Sequence, residues 1–179
     1  EINRAVALAN KYPSIVKIIA VGNEAMVKWA TSYYVQPSVI LKWVTHLQDL
    51  KKTQKLPKNL WITSSDNFAS WGGGSDEYHT EDLNKLIKEV DYISMHTYPM
   101  HDTHYNPVFW YTKEEKPNIE KVNNIMLRAK DYAVSQYDSV TNYMKSVDGL
   151  LFTRPVRMDI SKWPSASWSM AQIRRSRTM

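Results

Sequence analysis

Residues 15–24 decide the fold, and they read IVKIIAVGNE. This near-continuous apolar run ends in Gly-Asn-Glu and is typical of a strand buried on both faces of a parallel sheet. In a parallel barrel, a carboxylate at the end of such a strand would lie at the rim where loops gather and chemistry is done. Glu24 is therefore the first catalytic candidate. A second interpretation stays open, in which Glu24 caps the helix that follows.

Short apolar strands alternate with amphipathic helices along the chain. Further strands are predicted at residues 60–63, 91–96 and 150–160, and helices are predicted to start at Pro37, at Thr80 and after Pro117. This alternating order predicts a parallel sheet with right-handed crossovers. Three strands run into polar, aromatic loops, which favours about half of a (β/α)8 TIM barrel over the competing interpretation, a small open α/β sheet.

Composition limits the class of protein. The 179 residues are 43% hydrophobic and contain no cysteine, which excludes a disulfide framework and a cysteine metal site. No apolar run approaches the roughly 20 residues that cross a bilayer, so no membrane partner is expected. The net charge of +5 comes from the basic segment after residue 153, whose lack of periodicity argues against a nucleic-acid partner. Two regions are predicted: a partial barrel domain, residues 1–149, and an anomalous basic C-terminal segment, residues 150–179.

Three stretches carry a family resemblance: IVKIIAVGNEAMVKWA, LWITSSDNFASWGG and VDYISMHTYPMHDTHYNPVFW. They resemble glycoside hydrolase family 17, the β-1,3-glucanases, of bacterial type, across residues 1–149. The resemblance implies that the chain supplies strands 4 to 7 of a TIM barrel. It further implies that Glu24 is the acid/base, that Asn23 holds the sugar 2-hydroxyl, and that Tyr98 lies beside the nucleophile. An extracellular or periplasmic location is implied for the full-length protein.

The second carboxylate of a retaining glycosidase should stand about 5 to 5.5 Å from the first. In this family it lies in a seventh-strand motif, P-[IV]-x-[IV]-G-E-T-G-W-[PA], and residues 155–164 of this chain read PVRMDISKWP. Ile160 therefore occupies the position expected for the nucleophile, and no nucleophile is found. Asp159 is a weak candidate, because it would need a local bulge to face the same way.

Three explanations compete for this departure from the motif. Asp159 could serve as the nucleophile, the protein could have lost its chemistry, or the sequence from about residue 150 could be a truncation or an altered reading frame. We favour the last explanation, because it also accounts for the change of charge at the C-terminus. The chain is thus expected to be incomplete and to lack the nucleophile. Whether this chain alone can catalyse hydrolysis is therefore left open.

Substrate-binding roles are predicted for strand-end and loop residues that offer polar groups or aromatic faces. The set is Asn23, His96, Tyr98, Trp71, Asp66, Tyr105 and Trp110. His96, His101, Asp102 and His104 lack a clear helical ligand spacing, so hydrogen bonding to sugar hydroxyls is favoured over a metal site. No metal and no cofactor are expected.

The sequence therefore predicts a retaining glycoside hydrolase that acts on β-1,3-glucan of the laminarin type. The alternative is a non-catalytic β-glucan-binding protein on the same scaffold, which measurable turnover of a β-1,3-glucan would exclude. The partner in either case is an oligo- or polysaccharide. A partial barrel would also expose unpaired strand edges, so self-association is a further expectation.

Overall fold

A computed structural model describes residues 1–102, 119–148 and 156–159. The helices are α1 (Ile2–Lys11), α2 (Pro37–Lys52), α3 (Glu81–Glu89), α4 (Pro99–Asp102) and α5 (Ile119–Asp148). The strands are β1 (Ile18–Asn23), β2 (Trp61–Asn67), β3 (Ile93–His96) and β4 (Val156–Asp159). A π-helical turn (Ala69–Gly73) and a 3-10 turn (Asp76–Tyr78) lie between β2 and α3. In the described part of the chain, helices and strands alternate as the sequence predicts.

Two helix starts show why the sequence predicts them correctly. Pro37 occupies the first turn of α2, where its missing N–H removes a donor that would have no partner within the helix. Thr80 caps α3, because its hydroxyl accepts a hydrogen bond from the N–H of Leu83 at 3.2 Å.

The four strands form one parallel sheet in the order β1-β2-β3-β4. The prediction of a TIM barrel, with strands 4 to 7 as half of it, is wrong for the described residues. They form an open sheet, and β1 and β4 lie at its two edges. A closed barrel requires pairing between its first and last strands, which this sheet does not have. Buried strands that end in polar loops occur in every parallel α/β sheet, so that pattern could not distinguish the two architectures.

Helices α2 and α3 cover one face of the sheet. The largest hydrophobic cluster joins strand residues such as Ile62, Ile93 and Met95 to helix residues such as Val44 and Leu86, all of them fully or almost fully buried. Asp91 ties these layers together at the start of β3. It accepts hydrogen bonds from Lys51 Nζ at 2.7 Å and from the N–H of Ile62 at 2.7 Å.

Helix α5 packs beside the π-helical turn. Gly72 in that turn has φ +86, and a Cβ on it would lie 2.0 Å from the Tyr143 ring of α5, so this contact requires glycine. Thr97, just after β3, donates a hydrogen bond to the side chain of Gln136 on α5, and both residues are buried. Helix α5 therefore supports the C-terminal ends of β2 and β3, where the site described below lies. The proposed boundary between residues 149 and 150 falls outside the described residues.

Candidate active site

Glu24 is aimed by an irregularity in β1. Ala20 pairs with Thr63 and Asn23 pairs with Ser65, so three steps along β1 match only two along β2. Such a bulge redirects the side chains that follow it. Gly22, inside the bulge, has φ +87, and a Cβ there would lie 3.0 Å from Ala25 Cβ. Glu24 itself has φ +49, a left-handed conformation that is uncommon for a residue with a side chain and is found at functional sites.

Two side chains from the end of β3 hold the Glu24 carboxylate. His96 Nδ1 lies 3.1 Å from Glu24 Oε1, and the Tyr98 hydroxyl donates a hydrogen bond to the same oxygen. The His96 and Tyr98 rings meet edge to face, with centroids 6.2 Å apart. The Glu24 side chain remains 30% exposed, whereas the His96 side chain is only 6% exposed. The carboxylate is thus fixed from the sheet side and accessible from the solvent side.

Two serines extend this network and were not predicted from the sequence. Ser65 Oγ on β2 lies 2.7 Å from His96 Nε2 and 2.9 Å from Ser94 Oγ on β3. Ser65 and Ser94 pair in register, and His96 lies two residues beyond Ser94, so the three residues share one face of the sheet. The sequence signal that could have indicated the two serines is the polar residue at every second position near the ends of β2 and β3, such as Ser94 and His96.

A buried carboxylate anchors the loop that follows Glu24. Asp66 is fully buried and accepts hydrogen bonds from the N–H of Met26 at 2.9 Å and from the N–H of Asn67 at 3.0 Å. Ser70 Oγ donates to the carbonyl of Met26 at 3.0 Å, so both backbone groups of Met26 are held by the segment that includes the end of β2. Burial raises the pKa of Asp66, and these hydrogen bonds oppose the rise only in part.

The remaining predicted site residues have varied positions. Asn23 is exposed at the end of β1, next to Glu24. Trp71 is fully buried and donates its indole N–H to the carbonyl of Ser94 at 3.0 Å, so it has no free face for a sugar ring, and Asp66 is likewise occupied inside the protein. Asp159 ends β4, where its backbone pairs with that of His96. Tyr105, Trp110 and Ile160 lie outside the described residues, so their predicted roles stay predictions.

No group of three or more His, Asp or Glu side chains in residues 1–102, 119–148 and 156–159 is arranged to hold a metal ion. No helix among the described residues is long and apolar enough to span a bilayer.

Comparison with known proteins identifies a structural relative. The chain matches no protein-family model and no curated protein. It does match a solved structure with a TM-score of 0.78 and 63% sequence identity over 88% of the chain. The chain is similar to an endo-laminarinase. That protein, from Formosa Hel1_33_131, is known from a crystal structure, and the present chain spans 40% of its length. At this identity the two share their fold over the matched part.

Proposed function

We propose that this chain is part of a retaining glycoside hydrolase that acts on β-1,3-glucan of the laminarin type. The observation that carries the proposal is the 63% identity to an endo-laminarinase over 88% of the chain. The finer assignment to glycoside hydrolase family 17 rests on the motifs around Glu24 and Tyr98. An extracellular or periplasmic location belongs to the same proposal.

Glu24 is proposed to protonate the leaving oxygen and then to act as the base. Tyr98 and His96 both engage Glu24 Oε1. Because donors occupy Oε1, the exchangeable proton of the acid form belongs on Oε2, and Oε2 would transfer it to the glycosidic oxygen. The exposed Asn23 adjoins Glu24 and can offer its amide to a sugar hydroxyl.

The opposite side of the reaction requires a nucleophile, and Ile160 at the expected position cannot supply one. We therefore propose that the chain lacks this group and that a small external anion can replace it. Azide would attack the anomeric carbon of a bound β-glycoside while the bond to the leaving oxygen breaks. The product is an α-glycosyl azide. A sugar leaving group takes the proton from Glu24, whereas a leaving group that is stable as an anion departs without it.

The test compares two substrates with azide present. Laminari-oligosaccharides have a poor leaving group that needs the acid, whereas 2,4-dinitrophenyl β-laminaribioside releases a stable anion that does not. We expect Glu24→Gln to lower the azide-dependent cleavage of the oligosaccharide at least about 100-fold. Cleavage of the dinitrophenyl substrate should change little. Glu89→Gln, which removes a carboxylate at the far end of α3, is the matched control and should resemble the unmodified chain.

Three other outcomes would contradict parts of the proposal. Binding of laminari-oligosaccharides without any glycosyl azide from either substrate would indicate a non-catalytic glucan-binding protein. Equal oligosaccharide cleavage by Glu24→Gln and by the unmodified chain would exclude Glu24 as the acid. Hydrolysis without azide that is lost in Asp159→Ala would show that the nucleophile is present and is Asp159.

A further inference from the structure

A continuous series of hydrogen bonds leads through the sheet to Glu24. Ser94 Oγ lies 2.9 Å from Ser65 Oγ, Ser65 Oγ lies 2.7 Å from His96 Nε2, and His96 Nδ1 lies 3.1 Å from Glu24 Oε1. The series crosses from β3 to β2 and back before it reaches the residue after β1. The mechanism proposed above uses Glu24 and His96 and gives no role to the two serines.

The direction of the bonds follows from what each group can donate. Glu24 Oε1 accepts hydrogen bonds both in the ionised carboxylate and in the acid protonated on Oε2, so His96 Nδ1 must carry the proton that points to Glu24. In a neutral imidazole the other nitrogen then accepts, so Ser65 must donate to His96 Nε2. Because the single proton of Ser65 is used in this way, Ser94 must donate to Ser65. All the donors in the series therefore point towards Glu24.

We propose that Ser65 is a positioning residue for the acid/base Glu24. By donating to His96 Nε2, Ser65 holds the imidazole in the form protonated at Nδ1 and keeps that N–H directed at Glu24. His96 is 5% exposed, so bulk water does not supply an alternative donor at Nε2. The effect on catalysis rests on the proposed function, whereas the protonation and orientation of His96 do not.

The direct test is nitrogen NMR of the His96 ring in the full chain, with the signal assigned by a His96→Gln variant. We expect the unmodified chain to show a protonated Nδ1 and an unprotonated Nε2. In Ser65→Ala, Nε2 loses the hydroxyl of Ser65, so we expect a mixture of ring forms and at least about tenfold faster exchange of the Nδ1 proton with water. Ser65→Thr retains the hydroxyl and should restore the signals of the unmodified chain.

Ser64→Ala is the matched control. Ser64 is the neighbouring buried residue in β2, and its hydroxyl donates to the carbonyl of Val21 at 2.7 Å, away from His96. A general loosening of β2 would affect His96 in both alanine variants, whereas the proposed role affects it only in Ser65→Ala. A ring protonated at Nε2 in the unmodified chain, or unchanged His96 signals in Ser65→Ala, would overturn the proposal.

The catalytic consequence has its own readout. With azide present, we expect Ser65→Ala to lower kcat on laminari-oligosaccharides about tenfold or more, because a displaced acid transfers its proton less well. Turnover of the dinitrophenyl substrate, which needs no acid, should be unchanged. Equal losses on both substrates would contradict a role through Glu24. Absence of turnover on both, with the NMR result intact, would contradict the proposed function and leave the role of Ser65 in holding His96 standing.

Discussion

At the scale of single residues, the two carboxylates near the site have opposite surroundings. Glu24 is partly exposed and receives hydrogen bonds from His96 and Tyr98, whereas Asp66 is fully buried and holds the backbone of Met26. The sequence predicts functional roles for both. Of the two, only Glu24 is placed where a ligand can reach it. The side chain of Glu24, after β1, is partly exposed, whereas that of Asp66, in β2, points into the protein.

Asp66 should make stability depend on pH in an unusual direction for a carboxylate. Its pKa is raised in the folded chain above the ordinary value of 3.8, chiefly by burial. The folded chain therefore binds the proton more tightly than the unfolded chain between these two pKa values. The stabilising contribution of this proton is complete below the unfolded pKa and is lost as pH rises through the folded pKa.

This dependence can be measured by urea unfolding of the unmodified chain and of Asp66→Asn across a pH series that starts near 3.8. We expect the free energy of unfolding of the unmodified chain, relative to that of the variant, to fall as pH rises. Taking the difference removes the contribution of the other carboxylates. A difference that rises with pH would mean that Asp66 is stabilised as the anion, contrary to the effect of its burial.

At the scale of elements, the loop after β1 is held firmly and presents two aromatic side chains. The N–H of Val35 donates to the carbonyl of Ala25 at 2.7 Å and closes the loop, while Asp66 and Ser70 fix Met26. Trp29 and Tyr33, on this loop, are 63% and 59% exposed. An ordered loop with exposed rings close in sequence to Glu24 is suited to stacking on pyranose rings.

If the proposed function holds, Trp29→Ala should weaken binding of a laminari-oligosaccharide about tenfold, because it removes an aromatic face. The melting temperature should change little, since the side chain is mostly exposed. Isothermal titration calorimetry measures the first quantity and differential scanning calorimetry the second. Trp43→Ala on α2 is the control and should leave affinity unchanged; equal affinity in Trp29→Ala would exclude this loop as a binding surface.

Asp91 connects α2, β2 and β3 and should be important for stability. Its side chain accepts from Lys51, from the N–H of Ile62 and, at 3.2 Å, from Gln48. Asp91→Ala leaves these donors without their acceptor and should lower the free energy of unfolding by about 1–3 kcal/mol. Urea unfolding provides the measurement.

The matched control for Asp91 is Asp49→Ala, which breaks an exposed pair with Lys52 at 3.4 Å. Exposed ion pairs contribute little, so we expect a change below about 0.5 kcal/mol. A similar loss in both variants would mean that the position of Asp91 between the three elements is of no special importance.

At the scale of the whole molecule, the sequence predicts the order of elements, and it selects Glu24, His96 and Tyr98 at strand ends, where the structure brings the three side chains together. Apolar strands carry a strong local signal, and parallel strands necessarily end at the same edge. The prediction that β1 is buried on both faces is wrong, because β1 is an edge strand in which exposed and buried residues alternate up to Gly22. The burial of Trp71 depends on α5, about 70 positions later, and no local pattern records such a contact. The roles of Ser65 and Ser94 depend on which residues face them in the neighbouring strand, and the sequence alone does not give that pairing. Association through the edges β1 and β4 stays a prediction.

Because of the bulge in β1, the position of Glu24 depends on the number of residues in that strand more than on the chemistry of the neighbouring side chains. Ala20 and the residues before it keep one register with β2, and Asn23 keeps another. Removing a single residue between them would restore a uniform register with Asn23 still opposite Ser65, and would remove the local bend by which the bulge directs Glu24. Substitutions that preserve Gly22 and the residue count can be absorbed, but a one-residue deletion would separate Glu24 from His96 and Tyr98 even though every one of these residues is still present.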